Sequence, residues 1–126
     1  MPPALRTGID LIEIERLAQI NPAIRTRFLQ RVYTPRELAL CAGSPASLAG
    51  RFAAKEAVAK ALGVGIGPVR WQEIEILTGE AGQPVLELHG NARRIAGEQG
   101  LAVWSISISH SRTQAVAIAV ATGNNP

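Results

Sequence analysis

Cysteine and aromatic side chains are scarce in this chain of 126 residues, and each scarcity excludes a class of structure. The single cysteine, Cys41, excludes an internal disulfide and a cysteine metal cluster, which fits a reducing compartment. Aromatic residues make up 4% of the sequence, so there is no aromatic platform on which nucleic-acid bases could stack. The core must therefore be built from Ile, Leu, Val and Ala, and we interpret Cys41 as one more small buried hydrophobe.

Charged residues are also few, at 18%, and the formal net charge is +3. Such a mild and scattered excess of positive charge argues against nucleic-acid binding and suits an acidic protein partner or a phosphorylated substrate. There is no basic-then-apolar leader, and no apolar run approaches the ~18 residues that a membrane span needs. We therefore expect a soluble, cytoplasmic protein that folds as one domain over residues 1–126.

The stretch from Leu48 to Pro68 is the most informative part of the chain. Its first part has helical spacing, and Phe52, Glu56 and Lys60 form one ridge of side chains four residues apart. On spacing alone, Glu56 and Lys60 are more typical of an ordinary solvated ion pair on a helix surface than of a functional site. Both interpretations stay open at this point.

A second ridge on the same helix carries Arg51 and Lys55, so four charged groups are predicted on one flank. The opposite side consists of alanines, whose small side chains let another backbone approach closely. Gly63 is a natural end for the helix, because glycine adopts the left-handed conformation of a helix C-terminus without strain. Gly65 and Gly67 then form a loop whose backbone can come close to a ligand.

The remainder of the chain alternates between helical and strand patterns. The predicted elements are a strand passing into a helix over 8–17, helices over 22–31, 34–41 and 91–99, a hairpin over 73–88, and strands over 103–110 and 115–121. Residues 1–7 are expected to be a lead-in, and 124–126 a frayed end. His89, on the hairpin, is interpreted as structural. Helices in the first half and strands mostly in the second predict an α+β domain with an antiparallel sheet.

Five side chains carry the predicted chemistry. Asp10, at the junction of the first strand and helix, is either the N-cap of that helix or a functional carboxylate. With Glu56 and Lys60 it suggests a Mg²⁺ site, because Mg²⁺ prefers oxygen ligands and typically binds one or two carboxylates together with substrate phosphates. Arg51 and Lys60 would hold phosphate oxygens. His110, at a strand end, is either part of this site or a histidine with a satisfied hydrogen bond.

Three short motifs resemble one known family. They are Gly8-Ile9-Asp10, the run from Gly50 to Gly63 (Gly-Arg-Phe-Ala-Ala-Lys-Glu-Ala-Val-Ala-Lys-Ala-Leu-Gly) and Ser107-Ile108-Ser109-His110. Each motif alone is weak, but their order and spacing together are similar to those of the holo-[acyl-carrier-protein] synthase family, the small bacterial-type 4′-phosphopantetheinyl transferases. The resemblance covers the chain from about Thr7 to Ala121.

The resemblance implies an α+β fold that assembles as a homotrimer, with an active site in each cleft between subunits. It implies a reaction in which 4′-phosphopantetheine moves from coenzyme A to a serine of apo-acyl carrier protein and adenosine 3′,5′-bisphosphate is released. By the same resemblance, Asp10 and Glu56 are the Mg²⁺ ligands. The implied coenzyme A site comprises Asp10, Arg51, Phe52, Glu56, Lys60, Gly63, Gly65 and His110.

The resemblance also implies a docking surface and a catalytic set. Arg16 matches a basic position that faces the acidic carrier helix, with Arg25 and Arg27 as looser matches. The implied catalytic residues are Glu56, Lys60 and His110. Either Glu56, through a water, or His110 would take the proton from the carrier serine, and the route through Glu56 is preferred because a histidine near phosphates favours its charged form.

Three other functions fit the same residues. One is a Mg²⁺-dependent pyrophosphate hydrolase, which would work without a carrier protein. Another is a non-catalytic coenzyme A or nucleotide-binding module, which would bind but transfer nothing. The third is a structural trimeric domain in which Glu56 and Lys60 form an ordinary surface pair.

Overall fold

The computed structural model describes residues 4–123 and confirms the predicted α+β class. The elements in chain order are β1 (Leu5–Glu13), α1 (Ile14–Ala18), α2 (Pro22–Val32), α3 (Pro35–Cys41), α4 (Pro45–Leu62), a 3₁₀ turn (Trp71–Glu73), β2 (Ile74–Thr78), β3 (Pro84–Leu88), α5 (Gly90–Glu98), β4 (Val103–His110) and β5 (Gln114–Thr122). The predicted lead-in is wrong from Leu5 onward, because that residue already pairs with β5. The predicted frayed end at 124–126 lies outside the described residues.

The main sheet has the strand order β1-β5-β4, and both pairings are antiparallel. The β2–β3 hairpin forms a separate two-stranded sheet. Because side chains alternate along a strand, the main sheet has an inner face toward α4 and an outer face away from it. The alanines of β5 at 115, 117, 119 and 121 are at most 1% exposed and form the inner face. Leu5, Ile9, Leu11 and Ile118 stand on the outer face and are exposed.

The long helix α4 crosses the inner face over β1 and β5. Its own alanines are buried against the sheet, as the spacing predicts. The crossing is closest at Gly8, where an added Cβ would lie 1.8 Å from the carbonyl oxygen of Ala57. A residue without a side chain is therefore required at this point of β1, and the required close approach is the structural reason for the glycine.

The helix ends follow the local sequence, with one exception. Thr34 and Glu37 form a reciprocal capping box at the start of α3, and Gly63 ends α4 in the left-handed conformation with φ = 76°. The proposed N-cap role of Asp10 is wrong. The strand continues past Asp10, α1 begins only at Ile14, and its N-cap residue is Glu13.

A buried ion pair joins α4 to α3 and corrects the prediction of four charges on one flank. The Lys55 ammonium lies 2.8 Å from the Glu37 carboxylate, and both side chains are fully buried. Lys55 also donates to the carbonyl oxygens of Ile74 and Trp71, while the other Glu37 oxygen accepts from the Ile76 N–H. This flank is covered because α3 and β2 pack on it, so Lys55 belongs to the core.

Within residues 4–123, none of the helices is both long and apolar enough to span a bilayer.

Candidate active site

The structure brings Asp10, Glu56 and Lys60 together where β1 passes beside α4. The Lys60 ammonium lies 3.2 Å from Asp10 Oδ1 and donates a hydrogen bond of 2.9 Å to the Ile9 carbonyl oxygen. Glu56 is one helical turn before Lys60 on the same ridge. We call these three residues the β1–α4 cluster. Asp10 points to the inner face of the sheet with its neighbours Gly8 and Ile12, which is why it meets the helix.

The electrostatics of the β1–α4 cluster suit a cation. Burial raises the pKa of Glu56, the negative charge of Asp10 raises it further, and Lys60 partly opposes both effects. Two carboxylates are therefore close enough to repel each other, and one lysine does not fully compensate them. A hard divalent cation with oxygen ligands would relieve that repulsion, so the donor set fits Mg²⁺.

Arg51 and His110 lie together in a different place, along a groove between the start of α4, the β2–β3 hairpin and the end of β4. Three hydrogen bonds hold the guanidinium of Arg51: Nε donates to the Ile76 carbonyl, Nη1 to the Ser47 hydroxyl and Nη2 to the Thr78 hydroxyl. These bonds fix the fork of N–H groups that phosphate recognition uses. Thr78 could not be predicted as a partner of Arg51, because the two residues lie 27 positions apart in the chain.

His110 is exposed at the last position of β4. Its Nδ1 lies 3.0 Å from the carbonyl oxygen of Ser111, which is the nearest acceptor for a proton on that nitrogen. The other ring nitrogen, Nε2, has no hydrogen-bond partner among residues 4–123. We call the groove that Arg51 and His110 line the Arg51–His110 groove.

The β1–α4 cluster and the Arg51–His110 groove are separated within the chain. Asp10 is on one edge strand of the main sheet and His110 on the other, and the pairings place β5 between them. Helix α4 lies over the inner face between these edges. Lys60 reaches β1, whereas Arg51 reaches the hairpin. One chain therefore carries the predicted site residues as two half-sites that do not meet.

Phe52 lies on the α1–α2 side of α4. Its ring packs against Trp71 in a tilted arrangement, with 4.8 Å between ring centroids, and stacks on Phe28 with 6.4 Å between centroids. Phe52 and Phe28 also line an apolar groove with Ile20, and Arg16 stands in the lining of the same groove. The structure thus places Phe52 with the predicted carrier-docking residues and away from the Arg51–His110 groove.

The remaining predicted residues have distinct surroundings. Arg16 and Arg27 are exposed, whereas Arg25 is half-buried and donates a 2.9 Å hydrogen bond to the Leu17 carbonyl oxygen. Arg25 therefore helps to fasten α2 to α1. In the loop after α4, an added Cβ at Gly63 or Gly65 meets nothing within 4 Å, so the backbone there is open to a ligand.

Comparison with known proteins assigns this arrangement to a family. The chain belongs to the 4′-phosphopantetheinyl transferase superfamily, whose family model matches residues 6–121. It is therefore a transferase of the phosphopantetheinyl class.

The similar proteins are holo-[acyl-carrier-protein] synthases. The holo-[acyl-carrier-protein] synthase of Herpetosiphon aurantiacus is 48% identical over 94% of this chain and 99% of its own length. The crystal structure of Helicobacter pylori holo-[acyl-carrier-protein] synthase in complex with coenzyme A matches with a TM-score of 0.83 and 34% identity, over 91% of this chain and 98% of that one. The Bacillus anthracis enzyme in complex with coenzyme A (3′,5′-ADP) matches with a TM-score of 0.78 and 32% identity, over 98% of this chain and 100% of that one.

Proposed function

We propose that the protein transfers 4′-phosphopantetheine from coenzyme A to a serine of an apo-acyl carrier protein, with Mg²⁺, and releases adenosine 3′,5′-bisphosphate. The observation that carries the proposal is the β1–α4 cluster, in which two carboxylates and a lysine meet at the crossing of β1 and α4. The similar proteins support the substrate, since two of the matching structures contain coenzyme A or its nucleotide portion.

Asp10 and Glu56 would hold the Mg²⁺ ion. When bound, the ion supplies positive charge to the pyrophosphate of coenzyme A and lowers the barrier to attack at phosphorus. Lys60, beside Asp10, contributes a point charge to the same phosphates.

The chemistry forms a bond between the serine Oγ and phosphorus and breaks the bond from phosphorus to the oxygen of the leaving bisphosphate. Negative charge grows on that leaving group, so fixed cations near it lower the barrier. Arg51, held by its three hydrogen bonds, and His110 supply these donors from the Arg51–His110 groove. The serine proton goes to Glu56 through a water.

The carrier protein docks on the groove lined by Ile20, Phe28 and Phe52. This surface combines apolar side chains with the exposed guanidinium of Arg16, a combination that suits an acidic amphipathic helix. The ridge from Phe52 to Glu56 leads from the groove to the β1–α4 cluster, so a serine at the end of such a helix reaches the reacting phosphate. Arg27 extends the basic surface, whereas Arg25 mainly holds α2 against α1 through its hydrogen bond to Leu17.

The protein acts as a homotrimer in the cytoplasm, with each active site shared between two subunits. The separation of the two half-sites within one chain supports this, because phosphate-binding groups on one side of α4 need partners from a neighbouring subunit. The outer face of the main sheet offers the contact surface, since Leu5, Ile9, Leu11 and Ile118 are between 40% and 66% exposed. Apolar groups that large are usually covered in an assembly.

Intact-protein mass spectrometry of an apo-acyl carrier protein tests the reaction. The carrier is incubated with the protein, coenzyme A and Mg²⁺, and we expect a mass gain of one phosphopantetheine arm. The gain disappears with EDTA, with a carrier lacking its serine, and with the Glu56→Gln variant. A carrier that gains no mass while coenzyme A still binds would leave only a binding module, and bisphosphate release without any carrier would indicate a hydrolase.

A further inference from the structure

Glu75, Glu87 and His89 converge on one face of the β2–β3 hairpin, away from both half-sites. Glu75 and Glu87 are directly opposite each other in the strand register, and His89 follows Glu87 by two positions on the same face. One oxygen from each carboxylate and one ring nitrogen lie within 4.8 Å of one another. The closest pair is His89 Nε2 and Glu75 Oε1, at 3.0 Å.

Glu75 is the fixed member of this group. Its side chain is 4% exposed, and its Oε2 accepts a 2.5 Å hydrogen bond from the Thr34 hydroxyl. That bond orients the carboxylate so that Oε1 faces His89, in the way that outer hydrogen bonds orient metal ligands. Glu87 and His89 are about half exposed and can adjust by small rotations to complete a coordination sphere.

The group also needs positive charge. Two glutamates directly opposite each other on antiparallel strands repel. Arg36 offsets this repulsion, with its guanidinium 2.9 Å from Glu87 Oε2 and 3.8 Å from Glu75 Oε2. The Arg36 side chain is 59% exposed, so it can swing into solvent at little cost when another cation takes its place.

We propose that Glu75, Glu87 and His89 form a binding site for a Zn²⁺-class metal ion, separate from the β1–α4 cluster and in competition with Arg36. An imidazole nitrogen with two carboxylate oxygens is a donor set that suits Zn²⁺, whereas Mg²⁺ prefers oxygen ligands alone. The bound ion neutralises both glutamates and fastens the hairpin that carries Thr78, one of the groups that hold Arg51.

Isothermal titration of the full chain with Zn²⁺, in buffer that contains Mg²⁺, tests the proposal. The diagnostic variants are Glu87→Gln and His89→Gln, which keep the size of the side chain and weaken its ligation. The matched control is Glu80→Gln, which removes the same charge from the turn of the same hairpin. Glu56→Gln serves as a second control, because it tests whether Zn²⁺ binds at the β1–α4 cluster instead.

We expect one equivalent of Zn²⁺ to bind the wild type, the Glu80→Gln variant and the Glu56→Gln variant. Binding falls at least about tenfold in Glu87→Gln and His89→Gln. It tightens by up to about fivefold in Arg36→Gln, because the competing exposed ion pair is lost. Zn²⁺ should raise the melting temperature of the wild type but not of His89→Gln.

Three results would overturn the site. One is a wild type that takes up no Zn²⁺ at concentrations equimolar with the protein. Another is unchanged binding in His89→Gln, and the third is loss of all Zn²⁺ binding in Glu56→Gln. The titration measures binding alone, so its result is independent of whether the protein transfers phosphopantetheine.

Discussion

Mixing two inactive variants tests whether each active site is shared between subunits. The Glu56→Gln variant keeps the Arg51–His110 groove and loses the β1–α4 cluster, and the His110→Ala variant does the reverse. In the proposed trimer, each variant alone has every site damaged. If a site joins the β1–α4 cluster of one subunit to the Arg51–His110 groove of the next, hybrid trimers regain intact sites.

The size of the recovery follows from ring geometry. In a closed ring every subunit offers one half-site to each neighbour. In an equal mixture, half of the clusters and half of the grooves are wild type, so about one-quarter of the sites are intact. Each hybrid trimer then contains one good site, whichever variant is in excess within it. We expect the mixture, refolded together or co-expressed, to show about one-quarter of wild-type activity in the mass-spectrometric assay.

A dilution control separates this arrangement from sites inside single subunits. The wild type is mixed equally with a Glu56→Gln/His110→Ala double variant and refolded in the same way. Shared sites predict about one-quarter of the activity here as well, whereas sites within one chain predict one-half. Recovery no greater than the sum of the two single variants, together with one-half in the dilution control, would refute the shared site.

Three further predictions concern stability and single side chains. Glu37→Gln should lower the free energy of unfolding by about 3–5 kcal/mol in urea titrations, because it strands the buried ammonium of Lys55; a loss under about 1 kcal/mol would show that water reaches the pair. Glu37→Leu/Lys55→Met should recover only part of the loss, because the Ile76 N–H and the carbonyl oxygens of Ile74 and Trp71 lose their side-chain partners. Glu56→Gln should raise the melting temperature at neutral pH, because the raised pKa of Glu56 means that its ionised form opposes folding. This gain in melting temperature should vanish as the pH falls below 4.5, the usual pKa of a glutamate. An equal gain in acid would contradict the raised pKa. Gly8→Ala should lower the free energy of unfolding by at least about 1–3 kcal/mol, because the added Cβ would collide with a backbone carbonyl of α4. In the control variant Gly65→Ala, the added Cβ meets nothing within 4 Å, so this variant should unfold at nearly the wild-type urea concentration.

Local patterns were sufficient to predict most of the secondary structure. The Thr34 capping box, the left-handed Gly63 and the alternating strand that ends at His110 each depend on residues a few positions apart. The sequence also predicted that the alanine side of α4 would accept a closely packed backbone, and β1 passes there at Gly8. Such features are local because the forces that produce them act over a turn of helix or a pair of strand residues.

The errors came from contacts that are distant in the chain. Lys55 looks like a surface charge in the sequence, but α3 brings Glu37 to it, and the 3₁₀ turn and β2 each supply one carbonyl oxygen. Asp10 looks like a helix cap because a strand and a helix are adjacent in the sequence, but pairing with β5 extends the strand through Glu13. The cluster of Glu75, Glu87 and His89 could have been found from the hairpin register, although Thr34, which orients Glu75, could not.

Helix geometry supports the proposal that each active site is shared between two chains. Arg51 and Lys60 are nine residues apart on α4, which is about two and a half turns, so their side chains leave the helix on opposite sides. Each is held there, Lys60 by the Ile9 carbonyl and Arg51 by the hairpin. Rotating α4 would separate its buried alanines from the sheet, and neither Arg51 nor Lys60 is long enough to reach around the helix. In the proposed trimer, a second copy of the chain presents the opposite side of its own α4, so groups from both sides can act on one coenzyme A and assembly becomes a condition of catalysis.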